Sequence, residues 1–373
     1  MKKFRVHLLG LAHLPTIKEI SACAYTQKVY KMAKMLKSLG HTVFFYGAEG
    51  SDVECDKSII VVSKDILRET YGDYDWKVEM FKHDPKDLAH QTFNHNAAVE
   101  ILKRREKTDF VFVSMGTYQK PITDRLDIPL CVESGIGYYG IYAPYKVFES
   151  YCWMHHVYGK QGLENGNFYD CVIPNYFDPK DFTFKQKKDD YFLYLGRVIH
   201  RKGICVAKEV CDKLGKRLII AGQLGKEPVD ISGPNIEFVG YADNKKRVEL
   251  LSNAKAIFMP TIYFEPFGGV SIEAMLCGTP VISTDWGVFA ENNIHGKTGY
   301  RCRTQEQFIW AAKNIDNIDP NYCHKYAIRN FSMDRIKLMY QEYMEQLNGL
   351  HRKGWYEENP ERMELDWLKK YYE

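Results

Sequence analysis

Short apolar runs alternate along this chain with stretches whose apolar positions recur at helical spacing. Arg5 to Leu11 reads as a buried strand; Tyr25, Val29, Met32, Ala33 and Leu36 then fall on one helix face, with Gly40 standing where such a helix would close. Further strands are predicted at His41 to Tyr46, Ser58 to Val62, Asp109 to Ser114, Pro129 to Glu133 and Cys171 to Pro174. Phe93, Ala97, Ile101 and Leu102 mark a helix between two of them. From Pro144 onward Phe148, Tyr151, Cys152 and His155 share a helix face that reads as core. Strands that alternate with helices predict a parallel sheet covered by helices.

The polar run Lys185-Gln-Lys-Lys-Asp-Asp190 interrupts this alternation, which then starts again. Strands are predicted at Tyr191, Arg217, Ile236, Ala256 and Val281, with helices from Ile204, Asp243, Gly269 and Thr304. A linker near Asp181 gives two α/β domains, residues 1–183 and 184–351, each doubly wound and Rossmann-like. Ligand is expected in the crevice where the carboxyl ends of their strands face each other. After Met333 the chain reads as helix, broken by Gly354 and Pro360 before a last apolar segment with Met363, Leu365, Trp367 and Leu368.

The length of 373 residues suits two domains, and 45% hydrophobic with 27% charged residues is an ordinary globular composition. A net charge of +3 demands no polyanionic partner, so nucleic acid is permitted and not implied. The ten cysteines are scattered without a Cys-x-x-Cys pair, which favours free thiols in a reducing, cytoplasmic compartment, or a host cytoplasm if the source is viral. His7, His13 and Pro15 interrupt the first apolar run, so it reads as a strand and not as a signal peptide. No run reaches the roughly 20 apolar residues that span a bilayer, which leaves only peripheral membrane contact.

The candidate chemistry is concentrated in Glu265-Pro-Phe267-Gly268-Gly269-Val270-Ser271-Ile-Glu273. Carboxylates accept hydrogen bonds from hydroxyls, and bare glycine backbone at a helix start lets amides reach a phosphate. Upstream lie Tyr191-Phe-Leu-Tyr-Leu-Gly196-Arg197, Lys202-Gly203, Leu218-Ile-Ile-Ala-Gly222 and Asn235-Ile-Glu-Phe-Val-Gly240-Tyr241; downstream, Ala274-Met-Leu-Cys-Gly278-Thr-Pro280. In this order the segments resemble the signature of GT-B glycosyltransferases, specifically glycosyltransferase family 4.

The resemblance implies two Rossmann-like domains about a cleft and a nucleoside-diphosphate sugar as donor, a substrate and not a cofactor. It implies that Arg197 and Lys202 neutralise the departing diphosphate, that Glu265 contacts the transferred sugar and that Glu273 holds the ribose. Backbone from Phe267 to Ser271 would meet the phosphates, and backbone near Gly240 and Tyr241 the base. It implies transfer with retention to a hydroxyl acceptor, and a C-terminal tail, about residues 352–373, that packs back on the first domain. The intact set of Arg197, Lys202, Glu265 and Glu273 argues against a decayed site.

On the acceptor side the chain departs from the family. Glu133 stands where a histidine is usual, either as a general base, as an orienting group, or simply paired with a cation. The family's glycine pair after the first strand is replaced by a loop containing His13. Tyr138, Tyr139 and Tyr142 mark an expected acceptor region, where rings can stack on sugars or bases. No metal site is expected: Asp73-Tyr-Asp75 reads as a solvated turn. Three acceptors compete, namely a glycan or lipid-linked glycan, a small molecule, and a hydroxylated base in viral DNA. Lys103-Arg-Arg105 and Lys245-Lys-Arg247 are compatible with the last, although such runs are usually solvated helix faces. Readings of another class are a sugar-nucleotide epimerase, a phosphorolytic enzyme and a non-catalytic binding module.

Overall fold

The computed structural model describes residues 1–353 apart from 22, 78 and 80. Seven strands form the first sheet: β1 (Arg5–Leu9), β2 (Thr42–Ala48), β3 (Lys57–Val62), β4 (Phe110–Val113), β5 (Leu130–Ile136), β6 (Tyr145–Phe148) and β7 (Cys171–Val172). All pair in parallel, in the order β3-β2-β1-β4-β5-β6-β7. Its helices are α1 (Ala24–Ser38), α2 (Lys64–Tyr71), α3 (Leu88–Leu102), α4 (Lys120–Thr123) and α5 (Tyr151–Gln161). Strand side chains alternate between faces, so Val6 and Leu8 pack with Val29 and Met32 of α1, while Leu9 and Val111 pack with Phe93 and Ala97 of α3. Burial of both faces is why the central strand β4 is continuously apolar and not alternating.

The second sheet is again all parallel: β8 (Phe192–Leu195), β9 (Leu218–Ala221), β10 (Ile236–Phe238), β11 (Ala256–Met259), β12 (Val281–Thr284) and β13 (Gly299–Cys302), in the order β10-β9-β8-β11-β12-β13. It carries α6 (Ile204–Leu214), α7 (Asn244–Asn253), α8 (Gly269–Leu276), α9 (Phe289–Asn292), α10 (Gln305–Lys313) and α11 (Pro320–Phe331). Asp243 and Thr304 cap α7 and α10 with their side chains.

Several elements differ from the sequence expectation, among them α5 and β13. The helix expected from Pro144 begins at Tyr151, after β6, with Ser150 accepting from Trp153 N as its cap. Its buried residues are Trp153, Val157 and Tyr158, while Tyr151 is 39% exposed. Helix-period spacing had continued by chance through the four-residue strand. Strand β13 was missed because it opens on glycine and carries Arg301, and neither residue signals a strand.

The chain leaves the first sheet through Phe177, ahead of the polar run, whose Lys188 is held by Ser252 O, Cys277 O and Thr279 Oγ1 of the second half. It returns at Ser332: Phe177 N donates to Phe331 O at 2.9 Å and Met333 N to Phe177 O at 2.8 Å. Helix α12 (Met333–Lys353) then lays Ile336, Tyr340, Met344 and Leu347 into the core that holds Phe4, Val6 and Phe112 of the first sheet. The tail with Met363, Leu365, Trp367 and Leu368, expected to make this return, lies outside the described residues.

The halves touch across the cleft. Ser150 Oγ donates to Pro266 O at 2.7 Å, and Tyr151 N and Cys152 N at the start of α5 donate to Glu291 of α9 at 3.0 and 2.5 Å. A carboxylate at a helix N-terminus meets free amides and the positive end of the dipole. No helix among the described residues is long and apolar enough to cross a membrane.

Candidate functional site

Loops at the carboxyl ends of the second sheet bring Lys202 and Glu265 together, although 62 residues of chain lie between them. Strand β8 ends in Gly196 and Arg197, and one helical turn, His200–Lys202, precedes α6. Lys202 Nζ donates to Glu265 Oε2 at 2.5 Å. Burial lowers the Lys202 pKa, and the Glu265 carboxylate opposes that shift. Arg197 is exposed, and its guanidinium makes no hydrogen bond or ion pair with a described residue.

Beyond Glu265 the backbone turns through Gly268, whose φ of +69° suits glycine, into α8. Phe267 is buried against Phe177 and Phe331, fixing the start of that helix. Gly269 and Val270 stand half-buried at the helix start, and the Ser271 hydroxyl turns back to Gly268 O at 2.8 Å, so it serves the first turn. Glu273 lies one turn on and holds Arg247 of α7, whose Nε donates to Oε2 at 2.5 Å. Lys31 of α1 comes up from the other half, its pKa lowered by burial while Glu273 opposes the shift. Gly240, at φ +71°, and Tyr241 end the β10 loop. Tyr241 meets Ser21 Oγ at 3.4 Å and the edge of the Trp76 ring at 6.0 Å, both from the first half.

The acceptor-side residues are distributed differently from the sequence expectation. Glu133 is fully buried in the middle of β5: Oε1 accepts from Tyr138 OH at 3.0 Å, and Oε2 from Tyr142 N and Ala143 N at 2.9 and 3.0 Å. Burial pushes its pKa up while these hydrogen bonds oppose the shift. With no exposed surface and both oxygens engaged, it holds the 138–143 loop in place and is not placed to take a proton from an acceptor. Tyr138 also receives Gly116 N, and Tyr142 OH meets Thr123 Oγ1 at 2.9 Å; both rings pack the loop. Tyr139 is 51% exposed, its hydroxyl 2.8 Å from His156 Nε2. Glutamine at position 133 would point an amide NH2 at two backbone donors or at Tyr138, depending on its flip. Glu133→Gln is therefore expected to cost about 1–3 kcal/mol of stability and to leave the shape of the pH–rate profile unchanged. A lost limb in that profile, with stability intact, would restore the base role.

His13 is buried against His83 and His90, ring centres 5.2 and 5.7 Å away, and its Nδ1 has no partner. His90 is fixed by Asp87, with Nδ1 2.9 Å from Oδ1. Burial, then His90 and His83, push His13 from 6.5 down to about 3, against the opposing pull of Asp87. Between about pH 6.5 and 3 the unfolded chain thus binds a proton at this position that the folded chain does not. Stability present above pH 6.5 is lost as pH falls through that window, and His41, lowered by burial to about 4, acts in the same direction. The urea midpoint is expected to fall from pH 7 to pH 5, and to fall less in His13→Gln. Equal falls in both proteins would place the effect elsewhere.

Asp73 lies exposed in a loop of the first half, paired with Arg68. Of the basic runs, Lys103 and Arg104 pair with Glu100, Lys246 with Glu249 and Arg247 with Glu273. These four cations thus have acidic partners within the fold, as solvated helix faces usually do. Among the residues that the motifs did not reveal are Arg201, Tyr263, Arg247 and Lys31. No short-range pattern marks them, because each reaches the site from a separate element.

Comparison with known proteins identifies the second half. Residues 178–327 match the family described as Glycosyl transferases group 1. Glycogen synthase of Mycobacterium tuberculosis is 32% identical over 151 residues, 36% of this chain and 36% of that protein, so the chain spans about a third of the length of this curated relative. Among solved structures, a glycosyltransferase involved in avilamycin A biosynthesis superposes with a TM-score of 0.68 at 21% identity, covering 92% of this chain and 98% of its own. An Anabaena protein in complex with UDP and glucose superposes with a TM-score of 0.65 at 11% identity, covering 92% and 100%. At those identities the likeness is one of fold: two Rossmann-like parallel-sheet domains, the GT-B arrangement.

Proposed function

We propose, on the premise that residues 178–327 form a group 1 glycosyl transferase domain, that this chain transfers a sugar from a nucleoside-diphosphate sugar to a hydroxyl acceptor with retention. The observation that carries the reading is the buried Lys202–Glu265 pair beside the glycine-opened start of α8. It supplies cations and free amides for a diphosphate next to a carboxylate for sugar hydroxyls. We take residues 1–183 as the acceptor half and 184–351 as the donor half, with α12 returning to the first.

In this reading Arg197, Lys202 and the amides from Phe267 to Ser271 hold the diphosphate, Glu265 orients the sugar, Glu273 takes the ribose and backbone at Gly240 and Tyr241 meets the base. The bond from the anomeric carbon to the phosphate oxygen breaks as the acceptor oxygen bonds to that carbon on the same face. The electron pair leaves with the phosphate, and the acceptor's proton passes to that phosphate oxygen. Burial of Glu133 supports this route, since it removes the carboxylate that an inverting mechanism would have used as base. Cationic side chains stabilise the leaving group, so we propose no requirement for a divalent ion. UDP-hexoses are the first donors to try, given the UDP and glucose in the Anabaena structure. Acceptors to try are glycans, lipid-linked glycans and small hydroxylated molecules.

The test is a thermal-shift series with UDP, GDP, dTDP and their sugars, since a ligand bound only by the folded state raises its melting temperature. A rise with one nucleotide, followed by sugar transfer from its conjugate, is the expected result. A flat response to all of them, with no turnover, would reject the donor assignment.

A further inference from the structure

The loop after β8 carries a third cation that the motifs leave unassigned. Arg201 precedes Lys202, and its backbone carbonyl accepts from Ile262 N at 2.9 Å. Its guanidinium carbon lies 4.8 Å from the centre of the Tyr263 ring, and Lys202 Nζ lies 5.2 Å from the same centre. One aromatic ring thus carries two cations, an arrangement its negative face favours. The backbone fixes this pairing: at Gly203, φ +77°, a Cβ would stand 1.9 Å from Pro260 O, so the loops that bear the cations and Tyr263 are in contact.

The local charge is unbalanced. Arg197 and Arg201 both act on Lys202 and Tyr263, and Glu265 is the carboxylate that acts on the same two groups. Three cations against one carboxylate leave a surplus of two positive charges. Arg201, like Arg197, is exposed, and its guanidinium has no hydrogen bond or ion pair with a described residue. Like charges gathered at this distance repel, and an anion of two charges relieves the repulsion. A nucleoside-diphosphate sugar brings that charge on its diphosphate.

We propose that Arg201 is a third contact to the diphosphate and that Tyr263 is the positioning residue that holds Arg201 and Lys202 toward it. The inference rests on the donor reading above. It adds a preference for diphosphates over monophosphates, because the second phosphoryl group offers Arg201 oxygens that a monophosphate lacks.

Titration calorimetry with UDP, GDP, dTDP and the corresponding monophosphates tests it, with donor kinetics in parallel. Arg201→Gln, at an exposed position, is expected to weaken the diphosphate about tenfold and the monophosphate by less than about threefold. Tyr263→Leu is expected to behave like Arg201→Gln, and Tyr263→Phe, which keeps the ring, to stay within about twofold of wild type. Donor KM should rise in Arg201→Gln more than kcat falls. Unchanged diphosphate affinity in Arg201→Gln overturns the contact. Tyr263→Leu binding like wild type, or Tyr263→Phe as weak as Tyr263→Leu, overturns the platform. Wild-type protein that binds none of the nucleotides overturns the donor reading itself, and this inference with it.

Discussion

Glu265→Ala is expected to lower sugar transfer by roughly 100- to 1,000-fold while the protein remains folded. The Glu265 carboxylate is 11% exposed as a side chain and binds Lys202 at 2.5 Å, so alanine removes two functions together. It deletes the acceptor for sugar hydroxyls, and it leaves a half-buried ammonium without its counter-charge. Burial already lowers the Lys202 pKa, and loss of the opposing carboxylate lowers it further, which removes the partner that holds this cation in place for the leaving phosphate. Both effects fall on the chemical step, so kcat should collapse while nucleoside-diphosphate affinity changes by less than about tenfold. Steady-state kinetics beside calorimetry would show this split. Near-normal turnover would remove Glu265 from the active site.

Gly203→Ala is expected to destabilise the protein by more than about 3 kcal/mol, or to prevent folding. Two costs coincide there. The residue has φ +77°, a conformation that L side chains rarely adopt, and the new Cβ would lie 1.9 Å from Pro260 O and 2.6 Å from its carbonyl carbon. Neither neighbour is the tip of a flexible side chain, so relief requires the backbone of one loop to move. Gly215→Ala is the matched control: its φ is +61° and nothing lies within 4 Å of the added carbon, so only the conformational cost applies, about 1 kcal/mol. Urea unfolding of both variants separates the two costs. Equal losses would mean that the approach to Pro260 carries no energetic weight. Any folded fraction of Gly203→Ala should also bind donor poorly, because Lys202 and Glu265 sit on the two loops that must part.

The parallel sheets were readable because the central strands, buried on both faces, are apolar runs of their own and the helices between keep their period. Glu265, Gly268 and Glu273 were readable as a group because a single loop and helix start carries all three. What the sequence concealed depends on contacts between distant segments. Arg201 and Tyr263 meet only because β8 and β11 are neighbours in the sheet. The burial of Glu133 follows from the 138–143 loop folding back over β5, and nothing in the spacing of its tyrosines distinguishes rings that pack from rings that face solvent. Strand β6 was hidden for a related reason, since four residues are too few to break a helical period that runs on by chance.

The crossing at Phe177 and Ser332 bears on how the cleft can open. Among the described residues the chain passes between the sheets twice, and the two passages are bonded to each other by Phe177 N to Phe331 O and Met333 N to Phe177 O. A pivot of two tied strands resists torsion better than one strand does, and neither passage can slide without its partner. Any relative motion of the halves must therefore be taken up by both passages together. Glu291 and the first amides of α5 meet across the cleft. One pair of spectroscopic labels placed there would report whether that contact opens.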